Sequence, residues 1–324
     1  MLTTMIRRLA QMIFVMLGIS IIVFLIFFAT PGADPAARIA GRNASPEILA
    51  QVRHSFGLDR PLPIQYLFLM KKLFITQDLS SYVNRGQKVI PTIMQAAPVT
   101  ISLVLGAAVI WVIGGILVGV IAAARRGHIT DRALMILSLV GISMPVFWVG
   151  EVANLLTQSR LHDTWLFHWV PALGYKPFLE EPFMWFKTML IPWFVLAILF
   201  IGLYGRVLRA SIIEAYNEDF IRTARAKGLS ESRILLRHAL RTSLITFVSM
   251  FGLDFGALVG GGALLTEVVF GLQGVGYVTY IALQNLDLPV IMAAVMYASF
   301  FVVLANALVD ISYAFLDPRV GDAR

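Results

Sequence analysis

The residues best able to bind a metal or move a proton are five histidines: His54, His128, His162, His168 and His238. They fall in loops or at the ends of apolar runs, too scattered for a metal cluster or a Ser–His pair. Cysteine is absent, which excludes disulfides, thiol nucleophiles and thiolate metal sites. The glycine-rich stretch "GLQGVGY" lacks the G-x-x-x-x-G-K-[ST] pattern that cradles nucleotide phosphates. What remains is of two kinds. Three acids, Glu151, Asp254 and Asp310, stand inside long apolar runs. A basic stretch, "FIRTARAKGLSESRILLRHAL" at 220–240, sets Arg222, Arg225, Lys227, Arg233, Arg237 and His238 against one acid, Glu231.

The runs that position these residues exceed what a soluble core needs. The 324-residue chain is 58% hydrophobic and 14% charged, far from the balance of a soluble domain. Runs at 9–30, 96–124, 133–157, 188–208, 244–265 and 288–316 each reach about 20 residues, enough to span the hydrocarbon of a bilayer. The expected fold is an all-α, multi-pass membrane protein of six spans. The first run follows Arg7 and Arg8 and is longer than a signal-peptide core, so it reads as an uncleaved span. Arg7, Arg8, Arg125, Arg126, Arg132, the basic residues of 206–241, Arg319 and Arg324 then share one side. The short loops opposite hold only Arg160, Lys176 and Lys187. The positive-inside rule gives N-in, C-in. Trp165, Trp169, Tyr175, Trp185 and Trp193 form an outer aromatic belt. Topology thus accounts for the net charge of +7 without a nucleic-acid partner.

An acid at mid-span costs about 3 kcal/mol to insert, so Asp254 is expected to face water or a partner. Glu151, Asn154 and Gln158 follow an i, i+3, i+7 spacing and make a polar stripe, either lining a pathway or bonding neighbouring helices. Gly115 and Gly119 form one GxxxG pair, and Gly252, Gly256 and Gly260 a doubled one. Such ridges serve packing within a bundle, or a subunit interface or pore wall. Asp254 lies two positions from Gly252 and Gly256, about 200° around the helix, and so points away from that ridge.

Three parts are expected. Residues 1–96 hold the first span and an external helical cap. In the cap Ser45 is an N-cap, Pro46 stands at N1, Gly57 ends the helix, and a second helix covers 65–73. Residues 97–316 make a five-helix core with a cytoplasmic loop at 205–241, and 317–324 a cytoplasmic tail. Within the loop, Asn217 is expected to cap a helix over 218–227 that Gly228 stops in the left-handed region. Phe220, Thr223 and Ala224 share one face, with Arg222 and Arg225 opposite. About 15 Å of helix is too short to stand alone in water, so it must lean on lipid headgroups or a protein groove.

"DFIRTARAKGLSESRILLRHAL" resembles the EAA loop of the membrane subunits of ABC importers, with Arg222, Thr223, Ala224 and Gly228 at the E-A-A-x-x-x-G positions. The variant is similar to that of the dipeptide/oligopeptide/nickel permease family. "TPGADP", "FGLDRPLPIQY", "SMPVFWVG", "TEVVFGLQGVG" and "NALVDISYAFLDPRV" match family patterns in order along nearly the whole chain. Ala33 interrupts the usual Pro-Gly-Asp-Pro, and Thr246 and Gln273 stand where the family has prolines. The resemblance implies a type I importer permease in a bacterial inner membrane, itself no enzyme, taking up di- or oligopeptides. Nickel chelates or other peptide-like solutes are the alternative cargo, and an ion-gradient secondary transporter the alternative class. Implied partners are a homologous second permease, two ATP-binding cassette subunits that carry ATP and Mg, an extracytoplasmic solute-binding protein and the bilayer. Phe220, Arg222, Thr223, Ala224, Arg225, Lys227 and Gly228 would form the ATPase-docking loop. Glu151, Asn154 and Asp254 are the candidates to line the pathway.

Overall fold

The computed structural model describes residues 2–28, 36–37, 45–84 and 86–316. The "TPGADP" block at 30–35, the tail at 317–324 and the side chain of Asp310 lie outside the described residues. Every element longer than a single bridge is helical among the described residues. Four helices there are long and apolar enough to cross a membrane: Val89–Ala124 (α4), Pro182–Ala215 (α7), Glu231–Gly262 (α9) and Leu288–Val309 within Leu288–Leu316 (α12). A fifth candidate is a broken pair, and Ala10–Ile26 within Leu2–Phe28 (α1) is a shorter apolar helix.

The broken pair corrects the expected span at 133–157. Ile129–Ser143 (α5) and the helix beginning at Val146 (α6, to Asn154, with a π turn Leu155–Arg160) meet at 92°. Pro145 is the cause. It pushes Met144 into extended backbone, with ψ 125°, and the helix must stop there. The run at 244–265 differs as well. Its helix begins at Glu231, passes unbroken through Thr246, and bends at Gly261, whose φ of +109° only glycine adopts freely, before the short helix Leu264–Val269 (α10).

The chain divides into two compact units. The first comprises Met1–Thr100, Val259–Leu264 and Gln273–Leu304. Two short helices form here, the first at its expected bounds and the second from Leu62 rather than residue 65. Ser45 caps Pro46–Phe56 (α2) by accepting from the Ile48 N–H, and Gly57 ends it at φ +68°. Leu62–Met70 (α3) follows, extended by a π turn. Tyr66 joins α3 to α1 through a 2.6 Å hydroxyl contact with Ser20 and an edge-on ring contact with Phe24. Leu69, Leu73 and Leu79 continue this core into Val89 and Ile93 of α4, then Val275 and Ala282 of Val275–Asn285 (α11) and Ile291 of α12. Buried Asp287, at the start of α12, accepts from the Ser81 hydroxyl and, at 3.0 Å, from the Tyr82 N–H. Thr100 Oγ1 accepts from the Val275 N–H at 2.8 Å.

The second unit comprises Ile101–Leu258, Leu265–Leu272 and Ala305–Arg324. In it the glycine ridges serve packing within the chain. A Cβ on Gly106, Gly115 or Gly119 of α4 would strike Trp193, Tyr204 or Leu208 of α7, and one on Gly252 would strike Val309. Close approach there lets Trp111 stack on Phe200 at 4.7 Å, and Tyr204 meet Phe247 edge-on at 4.8 Å.

Candidate functional site

The loop between α7 and α9 is built from its turns. After Ala215 the backbone folds onto the last turn of α7, with N–H groups of Tyr216, Asn217 and Glu218 donating to Ile212, Glu214 and Ala215. The short helix α8 is Asp219–Ala226. Its N-cap is Glu218, not Asn217, whose side chain donates back to Ile213 instead. Asp219 in the first turn complements the helix dipole and pairs with Arg222 at 3.1 Å. At the other end the Leu229 N–H reaches the Ala224 carbonyl and the Gly228 N–H the Arg225 carbonyl. With Gly228 at φ +75° this is a Schellman stop.

The faces of α8 divide differently from the expected wheel. Ile221 (0% exposed) and Ala224 are buried within the chain, while Phe220 stays 40% exposed and Arg222, Thr223 and Lys227 are exposed. Ala224 therefore belongs to the inner face. Ile221, the most apolar residue of the helix, takes the place beside it that burial rewards. Arg225 lies over the Tyr216 ring at 5.4 Å and forks onto both oxygens of Glu231, at 2.7 and 3.2 Å. The hydrogen bond to Glu231 raises the Arg225 guanidinium above its ordinary value. The fork clasps α8 to the first turn of α9.

Above this loop, α7 carries a second fork. Arg209 Nε and Nη2 donate to the two oxygens of Asp131 at 2.6 and 2.7 Å, and Asp131 also accepts from the Gly127 N–H at 2.9 Å. The Asp131 side chain is only 4% exposed. Removing one member of so buried a pair costs about 3–5 kcal/mol, because the other charge is stranded.

The acids expected along the pathway part company. Tyr204 donates to Asp254 at 2.6 Å, leaving Asp254 half-buried in the second half of α9. Glu151 is exposed. Asn154 donates to the Val269 carbonyl at 2.9 Å, and Gln158 to the Pro171 carbonyl at 2.9 Å, so both act as helix-to-backbone ties. No group of three or more histidine or carboxylate side chains suited to a metal occurs among the described residues.

The family described as "Binding-protein-dependent transport system inner membrane component" matches residues 115–322, and its N-terminal counterpart matches residues 1–104. A putative peptide transport system permease of Brucella abortus is 39% identical over 314 residues, covering 97% of both chains. A probable D,D-dipeptide permease of Escherichia coli is 34% identical over 97% of this chain and 96% of its own. A di/tripeptide permease of Pseudomonas aeruginosa is 33% identical across 100% of each. Among solved structures, the MetNI methionine ABC transporter has the same fold. It aligns with a TM-score of 0.51 and 14% identity over 70% of this chain and 97% of that one.

Proposed function

The chain belongs to the binding-protein-dependent transport system inner membrane component family, and from that premise we propose that it is the pore-forming permease subunit of an ATP-driven importer of di- or oligopeptides. The observation that carries the coupling part of this reading is α8. It is a single short helix, stopped by Gly228 and clasped by Arg225 to Glu231, that keeps Phe220, Arg222, Thr223 and Lys227 exposed. A fixed helix with an unspent apolar and basic face suits the groove of an ATPase subunit. Arg225, Gly228 and the buried Ala224 set how that face is held. The relatives' names supply the peptide cargo.

In this reading the protein is a multi-pass chain of a bacterial inner membrane with six spans, counting α1 and the bent α5–α6 pair, and both termini in the cytoplasm. The loop is then cytoplasmic and α2–α3 external. A second, homologous permease completes the pore. Two ATP-binding cassette subunits hold ATP and Mg, and an extracytoplasmic solute-binding protein delivers the peptide. Exposed Glu151 and half-buried Asp254 are the acids that face the pathway or the second permease in this reading, while the amide of Asn154 is committed to Val269.

The test is uptake of a labelled dipeptide by vesicles holding the complete complex. Uptake should need ATP inside and the binding protein outside, and should resist an uncoupler. Uptake by this chain alone, abolished by the uncoupler and indifferent to ATP, would replace the reading with an ion-gradient transporter.

A further inference from the structure

We infer that the Arg209–Asp131 fork is the joint through which movement of α8 reaches α5, an inference that rests on the transport reading above. The turn from α7 into α8 is folded onto α7 by three consecutive backbone bonds, so a push on α8 arrives at the end of α7 without slack. Arg209 stands six residues before Ala215, the last of α7, or about 9 Å along the axis. There its planar guanidinium holds Asp131 at both oxygens, which fixes orientation as well as distance. Asp131 is in the first turn of α5 and is tied to the Gly127 N–H just ahead of it. The fork therefore grips the end of α5 and the turn leading into it.

Elsewhere α5 and α7 meet through small and apolar surfaces, Gly202 on the Ser138 carbonyl and Gly141 on Ile198. Those contacts hold the helices close but supply no directional bond between them. Among the described residues, no other side-chain hydrogen bond or ion pair links α5 to α7. The fork is thus the one directional polar tie between the two helices there. Beyond it, α5 is a continuous rod to Ser143, where the 92° bend turns its motion into α6. Arg209 and Asp131 are positioning residues. They touch no substrate, and they set which helices move together.

The experiment uses the complete complex in proteoliposomes, with dipeptide import and ATP hydrolysis measured on the same vesicles. Four forms are compared: parent, Asp131→Asn, Arg209→Lys, and the pair Asp131→Cys with Arg209→Cys. The last is assayed before and after a short bifunctional thiol reagent, which has no native cysteine to react with in this chain. Both single variants should retain the ATPases and hydrolyse ATP within about twofold of the parent, while dipeptide imported per ATP falls at least about tenfold. Bridging the cysteine pair should restore import per ATP, because the reagent replaces the link without the charges. Import per ATP equal to the parent in both single variants overturns the inference. So does import that falls only in step with complex abundance, or a bridged pair no better coupled than the unbridged one. A parent complex that imports no peptide on ATP defeats the transport reading itself, and the inference with it.

Discussion

The Tyr204 hydroxyl donates to the Asp254 carboxylate at 2.6 Å, and it does so from within a cluster of rings. Trp111, Phe200 and Phe247 surround the phenol, so its one polar atom is spent on the acid. The donor offsets part of the cost of a carboxylate within an apolar helix and uses one oxygen of the half-buried acid.

Two variants at this pair should therefore differ. Tyr204→Phe strands the carboxylate and is expected to lower stability by about 1.5–3 kcal/mol, the range for hydrogen bonds to charged groups. Melting of the purified complex in detergent reads that loss. Asp254→Asn keeps a partner for Tyr204 and should assemble normally while changing uptake rate or peptide range. Parent-like transport of every tested peptide by D254N would reduce the acid to packing.

At Gly228 a side chain has room, since no atom lies within 4 Å of an added Cβ, so only the φ of +75° resists substitution. Asparagine tolerates that region, alanine costs about 1 kcal/mol there, and a β-branched residue costs more. Uptake at matched membrane abundance should fall in the order Gly228→Asn, Gly228→Ala, Gly228→Val. Equal uptake by all three would mean that the stop of α8 does not matter to transport.

Arg225 and Glu231 should behave as one device. Each single alanine variant is expected to weaken ATPase retention by a similar, modest amount, about two- to fivefold, and the double variant no further. Phe220→Ala, which removes the exposed apolar contact, should cost more. Independent, additive losses at Arg225 and Glu231 would separate the clasp from docking.

Sidedness is open to a direct assay, because the chain has no cysteine to confuse it. Ser230 and Asp163 are both exposed. In intact cells Asp163→Cys should react with a membrane-impermeant thiol reagent and Ser230→Cys should not. The opposite pattern would invert the proposed orientation.

The apolar runs of α4, α7, α9 and α12 were legible in composition alone, because hydropathy over 20 residues needs no partner. The bend between α5 and α6 was not read, although its cause stands in the sequence. Hydropathy is blind to chain direction, and Pro145 acts on the backbone of Met144 rather than on polarity. Helical spacing alone groups Phe220, Thr223 and Ala224, whereas burial of Ile221 draws Ala224 inward and leaves Phe220 and Thr223 exposed. Arg209 was counted only as a topology charge, and Asp131 passed unnoticed. Their partnership spans 78 residues and depends on glycines drawing α4, α5 and α7 close enough for it to form. Tyr204, Ser81 and Asp287 were missed for the same reason. Each is an ordinary residue until a distant segment arrives.

That distance has a consequence for biogenesis. Ser81 waits for Asp287 across 206 residues, and Thr100 for Val275 across 175. At ordinary rates of synthesis the first interval is roughly 10–40 s. During it the segment around Ser81 has left the ribosome while Asp287, which accepts from it, is still unmade. The segment joining α3 to α4 thus meets its acceptor only once the start of α12 has been made. A chain truncated before Asp287 would leave the Ser81 hydroxyl without that acceptor and the segment joining α3 to α4 loose, an accessible mark of incompleteness for a protease.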